Sequence, residues 1–257
     1  MYFSELRKKV ILVIGTSQGI GQSVVETFQK EDAIVIACDI TFEESELTKV
    51  SKGLYKVHLD ISNENEIIHL VQQLEKAQLI PNVLVNVAGI STIDFLTESN
   101  TEDFDKVLAV NTRGTYLSSK HITALMQQNQ IHGRVIFVAS QAGKNGYKGM
   151  SAYVASKHAV IGLCKTLALE VAQDGILVNA VCPGIIETPM KHRERIEGGE
   201  IRGMSAQEVL EEDQSQVPLG RTGSTQDVAN VILFLASPLS SYMTGQAINV
   251  TGGMTMH

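Results

Sequence analysis

Cysteine is scarce in this chain, and neither long apolar runs nor basic clusters occur in it. The three cysteines, Cys38, Cys164 and Cys182, are widely spaced in apolar surroundings and form no C-x-x-C pair. An odd number of isolated cysteines argues against a disulfide framework or a zinc site and favours buried thiols in a reducing compartment. The 7 histidines show no H-x-x-x-H or similar ligand spacing. We therefore expect no metal site and a cytoplasmic location.

Charge and hydropathy argue against two further classes of protein. Lys and Arg number 21 against 28 Asp and Glu, so the net charge is −7, and nucleic acid is not expected as the main partner. The longest apolar runs are of strand length, so no membrane-spanning helix is expected. The first residues lead into a strand pattern without an apolar signal region. With 257 residues, 44% of them hydrophobic, the chain can form one large domain or two small ones.

Strand and helix patterns alternate along the chain. Val10–Ile14 is an unbroken apolar run, as in a strand buried on both faces, and a glycine-rich turn, a helix to about Lys30 and a second buried strand over residues 33–38 follow. Further strands are predicted over residues 54–58, 83–85, 134–139, 176–182 and 246–250. Helices are predicted from residue 63, over 101–130, from a cap at Ser151, and over 225–236 with Thr225 as the cap. Residues 41–52 are predicted to form a loop with some helix. The alternation predicts an α/β fold with one doubly wound parallel sheet in a single domain, residues 1–257, and a ligand crevice at the carboxyl ends of the strands.

The turn after the first strand has the features of a dinucleotide site. Residues 15–21 hold three glycines between a strand and a helix, where the backbone can approach a diphosphate and the helix N-terminus offers free N–H groups. Asp39 follows the second strand, where a carboxylate can bind an adenosine ribose 2′-hydroxyl and would repel a 2′-phosphate. Neither Gln18 nor Ile40 supplies a cation for that phosphate. We therefore predict NAD rather than NADP, with a tight turn that binds nothing as the alternative.

Residues 140–157 give the strongest indication of chemistry. Tyr153 and Lys157 are four residues apart on a predicted helix, so they lie on one face, one turn from each other. An ammonium at that distance favours the phenolate and would lower the tyrosine pKa toward the range useful for general acid–base catalysis. Ser140 ends the preceding strand, and a glycine-bearing loop can fold it back toward the same face. Tyr-x-x-x-Lys also occurs by chance on helices, so the pair alone does not establish catalysis.

Three features each allow two interpretations. Asn111 lies within a long predicted helix, where asparagine is a poor helix former; it is either tolerated there or serves the active site. Asp60 either lies near an adenine or caps the following helix. Residues 185–216 are charged and weakly periodic, which suits either a substrate-covering lid of loop and short helix or a surface excursion.

These motifs together resemble the short-chain dehydrogenase/reductase family. The matching elements are Gly15-x-x-x-Gly19-x-Gly21, Asn86-x-Ala88-Gly89, Asn111, Ser140, Tyr153-x-x-x-Lys157 and Pro183-Gly184. The match spans nearly the whole chain, and the joint pattern is far more specific than any one motif. The resemblance implies a Rossmann-type sheet of about seven parallel strands flanked by helices, in a homotetramer or homodimer. Ile14 and Val87 depart from the family pattern, at positions that concern structural hydrogen bonds rather than chemistry.

The resemblance also implies a role for each matching residue. Tyr153 would be the general acid/base, and Lys157 would bind the nicotinamide ribose and lower the Tyr153 pKa. Ser140 would orient the reacting oxygen, and Asn111 would hold a water molecule in a proton relay. The implied cofactor-binding residues are Gly15, Gln18, Gly19, Ile20, Gly21, Asp39, Asp60, Ile61, Asn86, Ala88, Gly89, Tyr153, Lys157, Pro183, Gly184, Ile186 and Thr188.

We therefore expect an NAD-dependent oxidoreductase that interconverts a secondary alcohol and its ketone by hydride transfer. The runs SQAGK and TGQAINVTGG resemble bacterial polyol, sugar-alcohol and acetoin dehydrogenases, and MSAYVASK also resembles dihydro-dihydroxybenzoate dehydrogenases. A small polyol or sugar alcohol is the predicted substrate. The alternatives are a 3-oxoacyl-thioester reductase, a dihydro-dihydroxybenzoate-type dehydrogenase and a non-catalytic dinucleotide-sensing protein. The reductase would use NADPH, against the indication of Asp39, and sensing proteins on this fold often lack the tyrosine or the lysine.

Overall fold

Eight strands form one sheet with helices on both faces, in a computed structural model that describes residues 3–257. The strands are β1 Val10–Ile14, β2 Ile34–Asp39, β3 Thr48–Ser51, β4 Leu54–His58, β5 Val83–Asn86, β6 Arg134–Val138, β7 Leu177–Pro183 and β8 Ala247–Val250. Their order across the sheet is β3-β4-β2-β1-β5-β6-β7-β8, and every neighbouring pair is parallel except β3 and β4. The strand order reverses at β1, between β2 and β5, which is where doubly wound folds bind ligands.

Helices connect the strands and cover the sheet. They are α1 Gly19–Lys30, α2 Glu64–Lys76, α3 Thr101–Leu108, α4 Thr115–Gln128, α5 Ser151–Val171, α6 Pro189–Arg202, α7 Ala206–Ser215 and α8 Thr225–Ala236. A π-helical turn, Ala109–Gly114, joins α3 to α4. Within residues 3–257, no helix combines the length and the apolar character that crossing a membrane requires.

The core has two halves because helices pack against both faces of the central strands. All of β1 is buried, and its residues alternate between the faces. Leu12 packs in the half that contains residues of α2, α4 and α5, whereas Ile11 packs with residues of α1 and α8. Burial of such a side chain stabilises the fold by roughly 1.5–3 kcal/mol. The predicted doubly wound sheet with about seven parallel strands is thus confirmed.

The antiparallel strand β3 corrects the prediction of a loop with some helix over residues 41–52. β3 forms an antiparallel hairpin with β4, with Thr48 opposite Lys56 and a register shift between Lys49 and Ser51. Gly53, at φ +74°, makes the tight turn between them. Every residue of β3 is exposed, so the strand lacks the apolar pattern by which strands are recognised.

Two predicted helix caps were one residue too late. Ser151 is the first residue of α5, Met150 occupies the cap position, and no side chain caps this helix. Ser224, not Thr225, caps α8, where its side chain and that of Asp227 form a reciprocal capping box.

Two longer segments differ in detail from the prediction. The helical region predicted over residues 101–130 is present, but a π-helical turn divides it into α3 and α4. Residues 185–216, expected to be loop and short helix, contain α6 of 14 residues and α7 of 10 residues. Pro189 stands in the first turn of α6, and Ser205 with Glu208 forms a capping box on α7. The proline and the capping box favour helix initiation at these two positions, although neither α6 nor α7 has a strongly apolar face.

Candidate active site

A crevice of about 800 Å³ runs along the carboxyl ends of the strands. Most of the residues predicted to form the site line it: Gly15, Gln18, Gly19, Ile20, Gly21, Asp39, Asp60, Ile61, Ala88, Gly89, Ser140, Tyr153, Lys157, Pro183, Gly184, Ile186 and Thr188. Asn86 and Asn111 are the exceptions, because both are buried behind the crevice wall.

The turn between β1 and α1 leaves room for a ligand. Gly15 has φ +91°, and an added Cβ would lie 2.6 Å from the backbone of Ala88, so no side chain fits there. Gly19 has φ +59° and faces the Thr188 methyl group, at 3.4 Å from an added Cβ. No side chain caps the N-terminus of α1, whose cap residue is Gln18. Its first N–H groups and the positive end of the helix dipole are therefore available to an anion such as a diphosphate.

Asp39 closes one end of the crevice with a carboxylate held by hydrogen bonds. Oδ2 accepts from the backbone N–H groups of Thr16 and Ser17 at 2.8 and 2.9 Å, and Oδ1 accepts from Thr41 N at 3.0 Å. Partial burial works against ionisation, but the hydrogen bonds from Ser17 and Thr41 outweigh it and keep the Asp39 pKa below its ordinary value. The adjacent Ile40 is exposed and supplies no cation. The carboxylate at this end of the crevice is therefore ionised at neutral pH.

Asp60 lies in the crevice wall and does not cap the following helix. Its Oδ1 accepts from Ser62 N and Oγ at 2.9 and 2.7 Å, whereas the Asn63 side chain caps α2. Ile61 lies beside it and packs so closely on Gly114 that an added Cβ there would come within 2.8 Å. The structure therefore agrees with the interpretation that places Asp60 at the crevice and not with its role as a helix cap.

Ser140, Tyr153 and Lys157 meet where β6 ends and α5 begins. The Lys157 ammonium is buried and donates to Val138 O at 2.9 Å, and it lies 5.5 Å from the centre of the Tyr153 ring. The Ser140 side chain accepts from Ala142 N at 3.1 Å and hydrogen-bonds to the Tyr153 phenol. The three-residue 3₁₀ turn after Ser140 brings the serine back toward α5.

The protonation of this group differs from the prediction. Burial raises the Tyr153 pKa above its ordinary value, the Glu194 carboxylate raises it further, and the hydrogen bond with Ser140 offsets only part of this. Burial also lowers the pKa of Lys157 to about 8. Lys157 is not among the groups that shift the Tyr153 pKa here, and its amine donates to Val138 O; its effect on the tyrosine remains a prediction. Tyr153 is protonated at neutral pH.

Asn111 lies in the π-helical turn directly behind Gly89. Its Oδ1 accepts from Ile90 N at 2.8 Å, and its Nδ2 donates to Ile90 O and Ser156 Oγ, each at 2.9 Å. Both amide hydrogens are thus used, so the side chain cannot donate to a water molecule. A Cβ on Gly89 would lie 3.3 Å from Asn111 Oδ1 and 3.4 Å from Lys157 Nζ. The π-helical turn thus brings Asn111 close to the lysine, and its role with water remains a prediction.

Asn86 was predicted to contact the cofactor, but its side chain does not line the crevice. Its Oδ1 accepts from Ser118 Oγ at 2.9 Å and its Nδ2 donates to Ser119 Oγ at 3.2 Å, which ties β5 to α4. The backbone N–H groups of Val87 and Ala88 both donate to Ile14 O at 2.9 Å. The departures at Ile14 and Val87 therefore leave the backbone link between these two strand ends intact.

Residues 185–216 form one wall of the crevice. Thr188 caps α6 by accepting from Lys191 N at 3.2 Å. The buried guanidinium of Arg195 donates to both carboxylate oxygens of Glu187 at 2.8 and 2.6 Å, and through Nε to Asp213 at 2.9 Å. This pairing fastens α6 both to the residues before it and to α7.

Sequence reasoning missed Glu194, which also lines the crevice, and Ser91, which is hydrogen-bonded to it. Glu194 projects from α6 into the crevice, and Ser91, in the loop after β5, donates to it at 2.6 Å. Charged residues of a weakly periodic helix usually face solvent, so the sequence carried no signal for Glu194. Among residues 3–257, no group of His, Cys, Asp and Glu is arranged to hold a metal ion, and the three cysteines are buried and unpaired with one another.

Several proteins that this chain resembles are named as oxidoreductases. The chain matches the family model described as enoyl-(acyl carrier protein) reductase over residues 14–255. It is 38% identical over 256 residues to the 3-oxoacyl-[acyl-carrier-protein] reductase FabG of Thermotoga maritima, which covers 98% of this chain and 99% of that one. It is similar in structure to sorbitol-6-phosphate 2-dehydrogenase SrlD from Erwinia amylovora, with a TM-score of 0.90, 32% identity and coverage of 96% and 100%.

Similar structures contain either form of the dinucleotide. A short-chain dehydrogenase from Leptospira borgpetersenii with bound NAD+ has a TM-score of 0.86, 29% identity and coverage of 98% and 95%. ElxO with bound NADP has a TM-score of 0.84, 34% identity and coverage of 96% and 98%. From the matches over nearly its whole length, the chain belongs to the short-chain dehydrogenase/reductase family and is a nicotinamide-dinucleotide-dependent oxidoreductase.

Proposed function

We propose that this protein interconverts a small secondary polyol or sugar alcohol and its ketone with NAD, using Ser140, Tyr153 and Lys157. The observation that carries the proposal is that these side chains share one crevice with the uncapped α1 N-terminus and the Asp39 carboxylate. Structural similarity to a sorbitol-6-phosphate dehydrogenase supports an alcohol of this class.

The residues along the crevice are suited to NAD, which supports the cofactor assignment. Gly15 and the free N–H groups of α1 suit a diphosphate, and the ionised Asp39 suits a ribose 2′-hydroxyl and disfavours a phosphate. Asp60 and Ile61 would hold the adenine end, and Pro183, Gly184, Ile186 and Thr188 would hold the nicotinamide end. Bound NAD supplies the hydride acceptor for alcohol oxidation and, when reduced, the donor for the reverse reaction.

The chain's own residues handle the proton. Tyr153, protonated at neutral pH, gives its proton to the carbonyl oxygen of a ketone or, as phenolate, removes the proton from an alcohol. Ser140 holds the same oxygen through its hydroxyl. Lys157 supplies a nearby positive charge below about pH 8, where its ammonium is present, and this charge stabilises negative charge on the reacting oxygen. Residues 185–216 act as the lid that excludes water from this end of the crevice.

Turnover and binding test this proposal together. NADH formation should be observed with a panel of polyols, and Tyr153→Phe should lower kcat at least about a hundredfold because the general acid/base is lost. Tyr242→Phe, which removes the same hydroxyl from a fully exposed side chain, is the control. NAD titration should show that Tyr153→Phe still binds the dinucleotide. Near-normal turnover by that variant would refute the role of Tyr153, and preferential NADPH binding would refute the cofactor assignment.

A second candidate is the oxidation or reduction of 3-hydroxyacyl and 3-oxoacyl thioesters. The 38% identity to an acyl-carrier-protein reductase favours it. The Asp39 carboxylate argues against NADPH as the cofactor, so this activity would have to proceed with NAD. Steady-state rates with acetoacetyl-CoA and NADH, compared with polyols and NAD, distinguish the two candidates.

A further inference from the structure

A partly buried chain of hydrogen bonds fixes one carboxylate in the substrate end of the crevice. The Arg193 guanidinium donates through Nη2 to Ser91 O and to Ser91 Oγ, each at 2.8 Å. Ser91 Oγ in turn lies 2.6 Å from Glu194 Oε1, and Ser91 is only 2% exposed. The loop after β5 and the helix α6 are thereby joined at this carboxylate.

The direction of these bonds follows from the chemistry of the groups. A guanidinium has no acceptor, so Ser91 Oγ must accept from Arg193. A hydroxyl has a single proton, which Ser91 therefore gives to Glu194 Oε1. The other carboxylate oxygen of Glu194, Oε2, accepts no hydrogen bond from any residue in the described range 3–257. One oxygen thus positions the carboxylate and the second remains available as an acceptor.

Glu194 lies close to the reacting group. It lines the same crevice as Ser140, Tyr153 and Lys157, and its charge acts on the Tyr153 phenol. It belongs to α6, which forms the wall opposite the glycine turn of α1. A molecule whose reacting oxygen is held by Tyr153 would therefore place its neighbouring atoms near Glu194.

We propose that Glu194 determines substrate specificity, with Oε2 accepting a hydrogen bond from a hydroxyl next to the carbinol that reacts. This inference rests on the proposed function, and it selects vicinal diols and longer polyols among secondary alcohols. Ser91 and Arg193 are the positioning residues that hold the carboxylate in place.

The charges around Glu194 distinguish a hydroxyl from other possible partners. Burial raises the Glu194 pKa above its ordinary value and Glu197 adds to this, while Ser91, Lys191 and Arg193 offset part of it. The two nearby cations, Lys191 and Arg193, would disfavour an additional cation such as a substrate ammonium. The carbonyl oxygen of a thioester is an acceptor only and would be repelled by Oε2, as would a substrate carboxylate. A neutral hydroxyl is a donor without charge, so it fits this oxygen best.

A matched pair of alcohols tests the inference. In 1,2-propanediol the secondary carbinol has a hydroxyl neighbour that is absent from 2-propanol. The wild-type ratio of kcat/KM for the diol to that for 2-propanol should fall at least about tenfold in Glu194→Leu, because a hydrogen bond to a charged group is lost. Removing the Glu194 charge also acts on Tyr153 and so changes the rate with either alcohol; this shared effect cancels in the ratio when both alcohols are measured at the same pH. Glu194→Gln, which keeps an acceptor oxygen, should lose less of the ratio.

Two further measurements separate specificity from a structural role. Glu200→Gln removes an exposed carboxylate from the same helix and should leave the ratio unchanged. Because the Glu194 charge raises the Tyr153 pKa, Glu194→Gln should move the rise of alcohol oxidation with pH toward lower pH. A purely structural effect would reduce both rates without moving this profile.

The outcomes separate the inference from the proposed function. An unchanged diol ratio in Glu194→Leu, with wild-type turnover that depends on Tyr153, overturns the inference and leaves the function standing. Equal losses with both alcohols, without a shift of the pH profile, also overturn it. Wild-type protein that binds NAD but oxidises neither these alcohols nor a polyol overturns both.

Discussion

Replacing Arg195 with methionine should release the lid from the rest of the protein. The side chain is 5% exposed and bridges Glu187, just before α6, to Asp213 in α7. Methionine keeps much of the volume and flexibility of the arginine stem but supplies no hydrogen-bond donor. The substitution therefore leaves two carboxylates without the cation that compensates them.

The expected cost follows from how far each carboxylate can regain water. Breaking a buried pair by removing one partner costs roughly 3–5 kcal/mol, since the remaining charge is left uncompensated. The Asp213 side chain is 10% exposed and keeps only Lys191, at 3.1 Å, whereas the Glu187 side chain is 36% exposed and can be rehydrated. We therefore expect the lower end, about 3 kcal/mol, which corresponds to over a hundredfold in a local opening equilibrium.

Amide hydrogen exchange measures this opening directly. Exchange across α6 and α7 should accelerate over about a hundredfold in Arg195→Met, while β1 and β5 should keep their protection. Arg202→Met is the matched control, because Arg202 also pairs with α7, through Glu212 at 2.6 Å, but both side chains are more than one third exposed. Such a pair contributes about 0–1 kcal/mol. Equal acceleration in the two variants would refute the reasoning.

Three further predictions concern the cofactor turn, the cofactor preference and the buried lysine. Gly15→Ala should abolish NAD binding and destabilise the fold by at least about 1–3 kcal/mol, because Gly15 has a positive φ and its added Cβ would clash with Ala88. Gly162→Ala, on the exposed face of α5, is the control and should leave stability in urea unfolding unchanged or higher. Asp39→Asn combined with Ile40→Arg should raise the ratio of NADP to NAD usage at least about tenfold in steady-state kinetics; an unchanged ratio would show that Asp39 does not select the cofactor. Lys157 loses its proton at about pH 8 when folded but near 10.5 when unfolded, so the unfolded state binds more protons between these values and this residue makes stability rise with pH there; urea unfolding of Lys157→Met should lack that contribution.

The sheet was predictable because its parallel strands are buried on both faces. An unbroken apolar run such as Val10–Ile14 has few other structures open to it in a chain of this size. β3 has no such run: it is held by backbone pairing to β4 and by the turn at Gly53, and its side chains are all exposed. The cap of α8 was missed by one position because Ser224 and Thr225 are both able to cap until the backbone selects one of them. At α5 the cap position is occupied by Met150, whose side chain makes no capping bond, so the sequence carried no signal for it.

The predicted site was mostly a set of backbone constraints, which motifs record well. Glycine is required at positions 15 and 19 because of the positive φ and the close approach of Ala88 and Thr188. Such requirements restrict the residue type, so they can be recognised in the sequence. Asn86 shows the limit of the same reasoning, because it belongs to a motif at the crevice but its amide is used to join β5 to α4. Glu194 is the opposite case, since its role depends on the folding of α6 over the crevice and on contact with Ser91.

The protonation of Tyr153 shows why spacing alone does not determine electrostatics. The spacing of four residues correctly places Lys157 on the same side of α5, 5.5 Å from the ring centre. The direction of the amine is decided by Val138 O, an acceptor at the end of another strand, and the burial that brings these groups together disfavours both charged forms. A neutral phenol beside a lysine that is charged below about pH 8 is suited to protonating a ketone oxygen at neutral pH. Alcohol oxidation needs the phenolate instead, so its kcat/KM should increase as the pH rises above neutrality; a profile that is flat from pH 6 to 10 with Tyr153 essential would show that another group accepts the proton.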